Sequence, residues 1–453
     1  MPVTENRTPR VVVVGAGFGG LTLARALRHA PVEVLLIDRH NYHTFQPLLY
    51  QVATAGLEPE EIAHAVRGIF HRQQNVRFRL GEVVGLDRAA RTLRLADGAE
   101  VAYDYLVLAA GATTHYFGVE GAAAHSFPLK SVDEAVNLRA HLIQQFEHAD
   151  QDPAWIAEGG LNFVIIGGGP TGVEMAGALV ELFQHVLRKD FPHLPLHKAL
   201  VYLVEATGSL LNGFHDDARR HARDTLLRRG VEIRLGDPVE RLTATAVTLR
   251  SGAVIPTRTV IWAAGVRAHP LADRLGLEQT QGGRLVVQPD LSLPGDPRVF
   301  VIGDLAGSRD ADGALHPQLA PVAMQGAHHV ARQLRNRISG KPAEPFTYRD
   351  KGIMATIGRN AAVAELGFGL RSAGFPAWVM WLFLHLLMLV GFRNRLNVLV
   401  NWAWNYFTYD RSARLIMRVD SVMVGTIAPA TPEPSGIGQP TPEALPVEMP
   451  IPG

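Results

Sequence analysis

Apolar residues along this chain come in short unbroken runs, and most of the runs end in glycine. RVVVV at Arg10–Val14 turns through Gly15-Ala16-Gly17 into a segment of helical spacing, expected as a helix over Phe18–His29, and VEVLLID then ends a second strand at Asp38. NFVIIG passes in the same manner into GGGPTGVEMAG (Gly167–Gly177), and VYLVE ends at Glu205. A strand-length run without polar alternation is buried on both faces, and regular exchange with helical stretches predicts parallel, doubly wound sheets. Further runs at YDYLVLAAGATT (Tyr103–Thr114), TVIWAAG (Thr259–Gly265) and RVFVIGDLA (Arg298–Ala306) close on small residues or on Gly303-Asp304.

The glycines carry chemistry. Gly15, Gly17 and Gly20 satisfy G-x-G-x-x-G: the first permits a tight turn, the second lets a pyrophosphate approach the backbone, and the third brings helix against strand. The helix N-terminus offers free N–H groups to phosphate charge, and Asp38 stands where an acid accepts ribose hydroxyls. Gly167, Gly169, Gly172 and Glu205 repeat the set, and a carboxylate at Glu205 repels a 2′-phosphate, so NADH is expected over NADPH. Small residues at Ala110, Gly111 and Gly265 leave room for a nucleotide, and Asp304 arrives at the carboxyl end of a strand, where open α/β sheets bind ligands. The expected fold class is α/β, with two Rossmann-like dinucleotide-binding domains, one inserted in the other. The boundaries read as residues 1–118 and 281–345 for the FAD-binding domain, 119–280 for the inserted NADH-binding domain, 346–426 for a C-terminal amphipathic helical membrane-binding and dimerisation region, and 427–453 for a Pro-rich disordered tail.

That C-terminal region opens with FPAWVMWLFLHLLMLV (Phe375–Val390), which lacks acids, Lys and Arg but is shorter than the roughly twenty residues of a span. LNVLVNWAWNYF follows, with Asn397, Asn401 and Asn405 expected in one polar stripe, and Arg393, Arg395, Arg411, Arg414 and Arg418 flank the apolar material. Aromatic and aliphatic residues beside arginines suit a helix lying in the lipid interface; a buried core or dimer helix is the alternative.

Composition narrows the chemistry. The 453 residues suit two or three domains. With Lys plus Arg 44 against Asp plus Glu 43, the net charge of +1 gives no reason to expect nucleic acid. Cysteine is absent, which removes disulfide exchange, thiolate metal sites and iron–sulfur clusters, so electron transfer needs an organic cofactor. No metal is expected, because His328 and His329 are neighbours on a helix and diverge. The polar opening MPVTENRTPR has no apolar core of a leader, and none is expected.

Three stretches narrow the reading further: NYHTFQPLLYQVATAGL (Asn41–Leu57), SFPLKSVDEAVNLR (Ser126–Arg139) and KGIMATIGRNAAVAELG (Lys351–Gly367). With the C-terminal WLFLHLLMLVGFRNRL, they resemble the type II, non-proton-pumping NADH:quinone oxidoreductases of the two-dinucleotide-binding flavoprotein group. The resemblance implies non-covalent FAD, NADH as the substrate that reduces it, and a membrane quinone (menaquinone or ubiquinone) that reoxidises it. It also implies a homodimer and a peripheral, monotopic place on membrane surface lipids, at the cytoplasmic face of a bacterial inner membrane in the respiratory chain. Carried over by position, FAD falls on Gly15, Gly17, Gly19, Gly20, Asp38, Arg39, Thr44, Gln46, Ala110, Gly111, Gly303, Asp304, Pro321 and Val322. NADH falls on Gly167, Gly169, Gly172, Glu205 and Gly265.

Glu174, expected in the first helical turn where the helix dipole favours a carboxylate, matches the family glutamate beside the nicotinamide and flavin rings. Simple charge complementation of the helix start is the alternative. The family's A-Q-x-A-x-Q quinone motif is altered: in HPQLAPVAMQGAHH, Pro321 replaces the first glutamine and Gln325 keeps the second, with Gln318 one turn earlier. Lys351 matches a family lysine near flavin and quinone, where a cation stabilises a developing anion; a solvated lysine is the alternative. His316 and His385 are expected in helix packing, with contact to a quinone path as the alternative. Two other functions stay open: a reductase of a small electron-transfer protein, and a non-catalytic membrane-bound nucleotide sensor.

Overall fold

Strand β1 (Arg10–Val14) is almost wholly buried and feeds α1 (Phe18–Ala26), which returns to β2 (Glu33–Asp38). The helix ends at Ala26, a turn earlier than its apolar spacing predicts. The chain continues through the short helix α2 (Leu49–Ala53), β3 (Val76–Leu80) and β4 (Tyr105–Leu108). It then makes β5 (Phe127–Pro128), α3 (Val132–Gln151), β6 (Asn162–Ile166), α4 (Pro170–Glu181), β7 (Leu200–Glu205), β8 (Val231–Leu235) and β9 (Thr259–Trp262). Next come β10 (Ser292–Leu293), β11 (Asp296–Val301) and α5 (Ala320–Ile338). The last elements are β12 (Gly352–Thr356), β13 (Ala362–Leu366), β14 (Arg371–Gly374), α6 (Phe375–Met388) and α7 (Phe392–Thr408). This computed structural model describes residues 7–409 and 413–417. The readings of Arg411, Arg418 and the 427–453 tail lie outside the described residues.

Two parallel sheets organise these strands. One has the order β10-β11-β4-β1-β2-β3 and is parallel except where β10 pairs with β11, so strands before and after the second sheet share it. The other runs β5-β9-β6-β7-β8, all parallel. Each central strand is capped on both faces by apolar side chains: Val11 and Val13 pack to one side of β1, Val12 and Val14 to the other. Burial at roughly 1.5–3 kcal/mol per large aliphatic side chain makes this stacking the main stabilising term. Helix α3 starts on a capping box in which Ser131 Oγ accepts from Glu134 N and the Glu134 carboxylate accepts from Ser131 N.

A three-stranded antiparallel sheet, β12-β13-β14, carries the C-terminal helices. Ala377 and Trp381 of α6 turn inward, while Phe375, Val379, Phe383 and Leu387 are exposed. Helix α7 turns Val398, Trp402 and three of its amides toward the protein, while Phe392 (82 % exposed) and Phe407 (81 %) face away from it. Asn394 Nδ2 donates to Glu61 O at 2.8 Å, Asn405 Nδ2 to Gly56 O at 3.1 Å, and Asn401 Nδ2 to the Glu61 carboxylate. Asn397 is exposed and takes no part, so the expected stripe is corrected at one position. Four-residue steps drift about 40° each around a helix, which carries Asn397 out of the seam, whereas Asn394 lies within about 20° of both other members. Among the described residues no helix is long and apolar enough to cross a membrane.

Candidate active site: two cradles and a buried carboxylate

The two glycine turns have the same steric anatomy. Gly15 has φ +107°, and a Cβ there would lie 2.3 Å from Ala109 O; one on Gly20 would lie 1.8 Å from Gly15 O. In the second turn, Gly167 has φ +112° and its Cβ would lie 2.6 Å from Ala264 Cα, while one on Gly172 would lie 1.8 Å from Gly167 O. The middle glycines differ: a Cβ on Gly17 or Gly169 would meet nothing within 4 Å. The outer glycines serve backbone packing, and the middle ones front open space at a helix N-terminus, as a pyrophosphate requires.

The paired acids are locked in matching ways. Asp38 Oδ2 accepts from Ala16 N at 2.6 Å and Oδ1 from His40 N at 2.8 Å. Glu205 Oε2 accepts from Gly168 N at 2.6 Å, and its Oε1 from Thr207 N and Thr207 Oγ1, both at 2.8 Å. Each carboxylate keeps lone pairs for ribose hydroxyls. The residues present therefore fit two dinucleotides. Gly111 is left-handed (φ +75°) with open space around it, and a Cβ on Gly265 would lie 2.8 Å from the Phe117 ring. Ala110 ends the same strand exit, and Arg39 is exposed beside Asp38.

Around the first cradle, several side chains converge. Gly19 would place a Cβ 3.1 Å from Ile302 Cδ1 and 3.7 Å from Ala323 O, so the N-termini of α1 and α5 meet. Both helix dipoles then favour negative charge between them. Pro321 occupies the first turn of α5 without losing a needed bond, and Val322 is buried beside it. Gly303, at φ +70°, turns Asp304 into this region. Burial raises the Asp304 carboxyl, and the charges of Lys130 and then Arg284 oppose that rise. Lys130 and Arg284 were not singled out from sequence, although Lys130 lies within the SFPLKSVDEA stretch. Gln46 Nε2 donates to Lys130 O at 3.3 Å, tying the Thr44–Leu48 loop, which opens at Thr44 in a short β pair, to the same place. Gln318 Nε2 donates to Asp304 O at 3.0 Å. His43, inside the Asn41–Leu57 stretch but not singled out there, joins this region: its Nδ1–H donates to Ala16 O at 2.8 Å and burial pushes it down to about 4.

Glu174 corrects one expectation. The helix begins at Pro170 after the Gly169 cap, and its first turn contains no acid, so Glu174 lies in the second turn. Dipole stabilisation fades beyond the first turn. Burial dominates and pushes the carboxyl up to about 8, with the Thr356 N–H (3.4 Å) and the Trp381 indole acting in the opposite direction. Gln325 lies a turn into α5 with both ends of its amide bonded to one residue: Nε2 donates to Arg349 O at 2.8 Å and Oε1 accepts from Arg349 N at 3.0 Å. It thereby fixes the approach to Lys351, which is exposed at the entry to β12. His316 is buried against Ser308 and the Phe346 and Tyr348 rings, and His385 is stacked on Trp381. His329 is buried and His328 exposed.

A parallel sheet pair with two glycine cradles, each answered by an acid at the next strand end, defines a two-dinucleotide oxidoreductase. Residues 9–327 match the pyridine nucleotide-disulphide oxidoreductase family model, and residues 351–409 match the NDH2 C-terminal domain. The chain is 39 % identical over 421 residues to the type II NADH:quinone oxidoreductase Ndh of Mycobacterium tuberculosis, covering 89 % of each chain, and 38 % identical to NdhA of the same organism, covering 92 % of this chain and 90 % of that one. It superposes on NDH2 from Plasmodium falciparum in complex with NADH with a TM-score of 0.81 at 17 % identity, covering 91 % of this chain and 100 % of that one. The chain belongs to the type II NADH:quinone oxidoreductase family.

Proposed function

We propose that this chain oxidises NADH through non-covalent FAD and passes the electron pair to a membrane quinone, without pumping protons. The observation that carries the reading is the pair of open-centred glycine cradles with a buried carboxylate, Glu174, on the helix that leaves the second. When bound, FAD accepts a hydride from NADH and releases two electrons to a quinone.

The chain's residues supply position, charge and a proton. Gly15, Gly17, Gly19, Gly20, Asp38, Arg39, Thr44, Gln46, Ala110, Gly111, Gly303, Asp304, Pro321 and Val322 hold the flavin dinucleotide, and Gly167, Gly169, Gly172, Glu205 and Gly265 hold NADH. Glu205 accepts ribose hydroxyls and disfavours a 2′-phosphate. Glu174, protonated at neutral pH, keeps a proton where water is excluded. Lys130 and Arg284 offset the Asp304 charge, and Gln325 positions Lys351 as a cation for the quinone side. The FAD-binding domain comprises residues 1–118 and 281–345, the NADH-binding domain 119–280, and the membrane-binding region 346–426.

The exposed apolar side chains of α6 and α7 support docking of this region on membrane surface lipids as a monotopic protein and self-association there as a homodimer; the cytoplasmic face follows from the family resemblance alone. They also weigh against a reductase serving a small soluble electron carrier, which needs no such face. Anaerobic stopped-flow of the purified protein tests the reading. NADH is expected to bleach a yellow preparation, and menaquinone or ubiquinone analogues to restore the colour. A colourless protein that takes up no added FAD overturns it.

A further inference from the structure

We propose that Trp381 of α6 is the positioning residue for Glu174, its indole N–H being the hydrogen-bond donor that receives the carboxylate when Glu174 gives up its proton. An unmet donor and a weakly bonded carboxylate lie near each other in the core. The Trp381 indole is 1 % exposed and its Nε1 has no hydrogen-bond partner among the described residues, at a site where unpaired donors are costly. The Glu174 carboxylate is also buried, and its one bond, from Thr356 N, is long at 3.4 Å. The indole is close enough to favour the ionised carboxylate but falls short of hydrogen-bond geometry. A donor in waiting is what a carboxyl that alternates between two protonation states needs.

The ring is held firmly for this task. His385, one turn on, stacks on it at 3.9 Å between centroids and 20° between planes, and its Nδ1–H donates to Trp381 O at 2.8 Å. Tyr50 of α2 meets the indole edge-on at 6.4 Å, and Trp402 of α7 lies at 6.2 Å. The ionisable neighbours bring no competing charge. His385 is pushed down to about 4 by burial and is neutral. The groups that shift Glu174 besides burial are the Thr356 N–H and the Trp381 indole, neither of them charged.

This assignment rests on Glu174 serving the proposed reaction, but its test does not. The FAD-loaded protein is titrated between about pH 6 and pH 10, spanning the shifted carboxyl. Infrared difference spectra read the Glu174 carboxyl, with Glu174→Gln as the assignment, and ultraviolet resonance Raman reads the indole N–H, with Trp381→Phe as the assignment. The indole band is expected to move to its hydrogen-bonded position as Glu174 ionises, and to stay put in Glu174→Gln. In Trp381→Phe the carboxyl is expected to titrate about one pH unit higher, because the ionised form loses a donor. An indole band that ignores pH in the parent overturns the proposal, even if Trp381→Phe fails to fold; so does a carboxyl titration unchanged in a folded Trp381→Phe. Absence of NADH:quinone turnover with both spectral shifts intact would instead count against the functional reading alone.

Discussion

Glu205 accepts a hydrogen bond from Gly168 N at 2.6 Å, so the acid that ends β7 is fastened to the glycine turn it faces. The bond fixes where the carboxylate meets an adenosine ribose. Glu205→Gln is expected to lower kcat/KM for NADH about tenfold, through loss of a charge-assisted bond, and to raise it for NADPH. Steady-state kinetics with both nucleotides checks this; an unchanged NADH:NADPH ratio would remove Glu205 from specificity.

Gly17 and Gly20 should respond to the same substitution in opposite ways. Gly17 has φ −70° and open space, so Gly17→Ala is expected to leave the melting temperature of the flavin-free protein unchanged while weakening FAD binding. Gly20→Ala drives a methyl to 1.8 Å from Gly15 O and is expected to destabilise the fold by about 1–3 kcal/mol or more. Thermal melts and flavin fluorescence separate the two.

Burial lifts Glu174 from its ordinary carboxyl range to about 8, so the fold accommodates its neutral form. Stability from such a group is complete at low pH and lost as pH rises through the folded value. Glu174→Gln should therefore match the parent below about pH 4.5, gain on it as pH rises to about 8, and exceed it above that by roughly 5 kcal/mol. Denaturant unfolding across that window is the check, and a constant difference at all pH values would contradict it.

Phe392 and Phe407 touch neither cradle and stand clear of the protein surface. Replacing both with Glu is expected to weaken binding to anionic vesicles by tenfold or more, since each ring contributes roughly 1.5–3 kcal/mol when buried. Turnover with a water-soluble quinone analogue should not change. Vesicle sedimentation beside that assay decides.

The cradles were legible because their geometry is local: glycine spacing, strand runs and a terminal acid lie within one βαβ unit. Glu174 was legible as a residue but not as an environment. Its position in the second turn depends on where Pro170 starts the helix, and its acidity on burial, opposed by Thr356 and Trp381, which reach it from the C-terminal region. Lys130 and Arg284 were hidden for the same reason, since only the folded sheet brings them to Asp304. The apolar C-terminal pattern was legible, whereas the choice of Asn394 over Asn397 turned on a few tens of degrees of helical drift.

The seam beneath α7 has a consequence for descent. Asn394 and Asn405 bond to main-chain carbonyls of Glu61 and Gly56, while Asn401 and Trp402 read the side chains of Glu61 and Gln51. The half of the joint that grips the backbone is blind to which residues its partner segment carries. Lineages are thus free to rewrite the rest of that segment, provided its path, Glu61 and Gln51 are kept, without unhinging the greasy helix from the redox body.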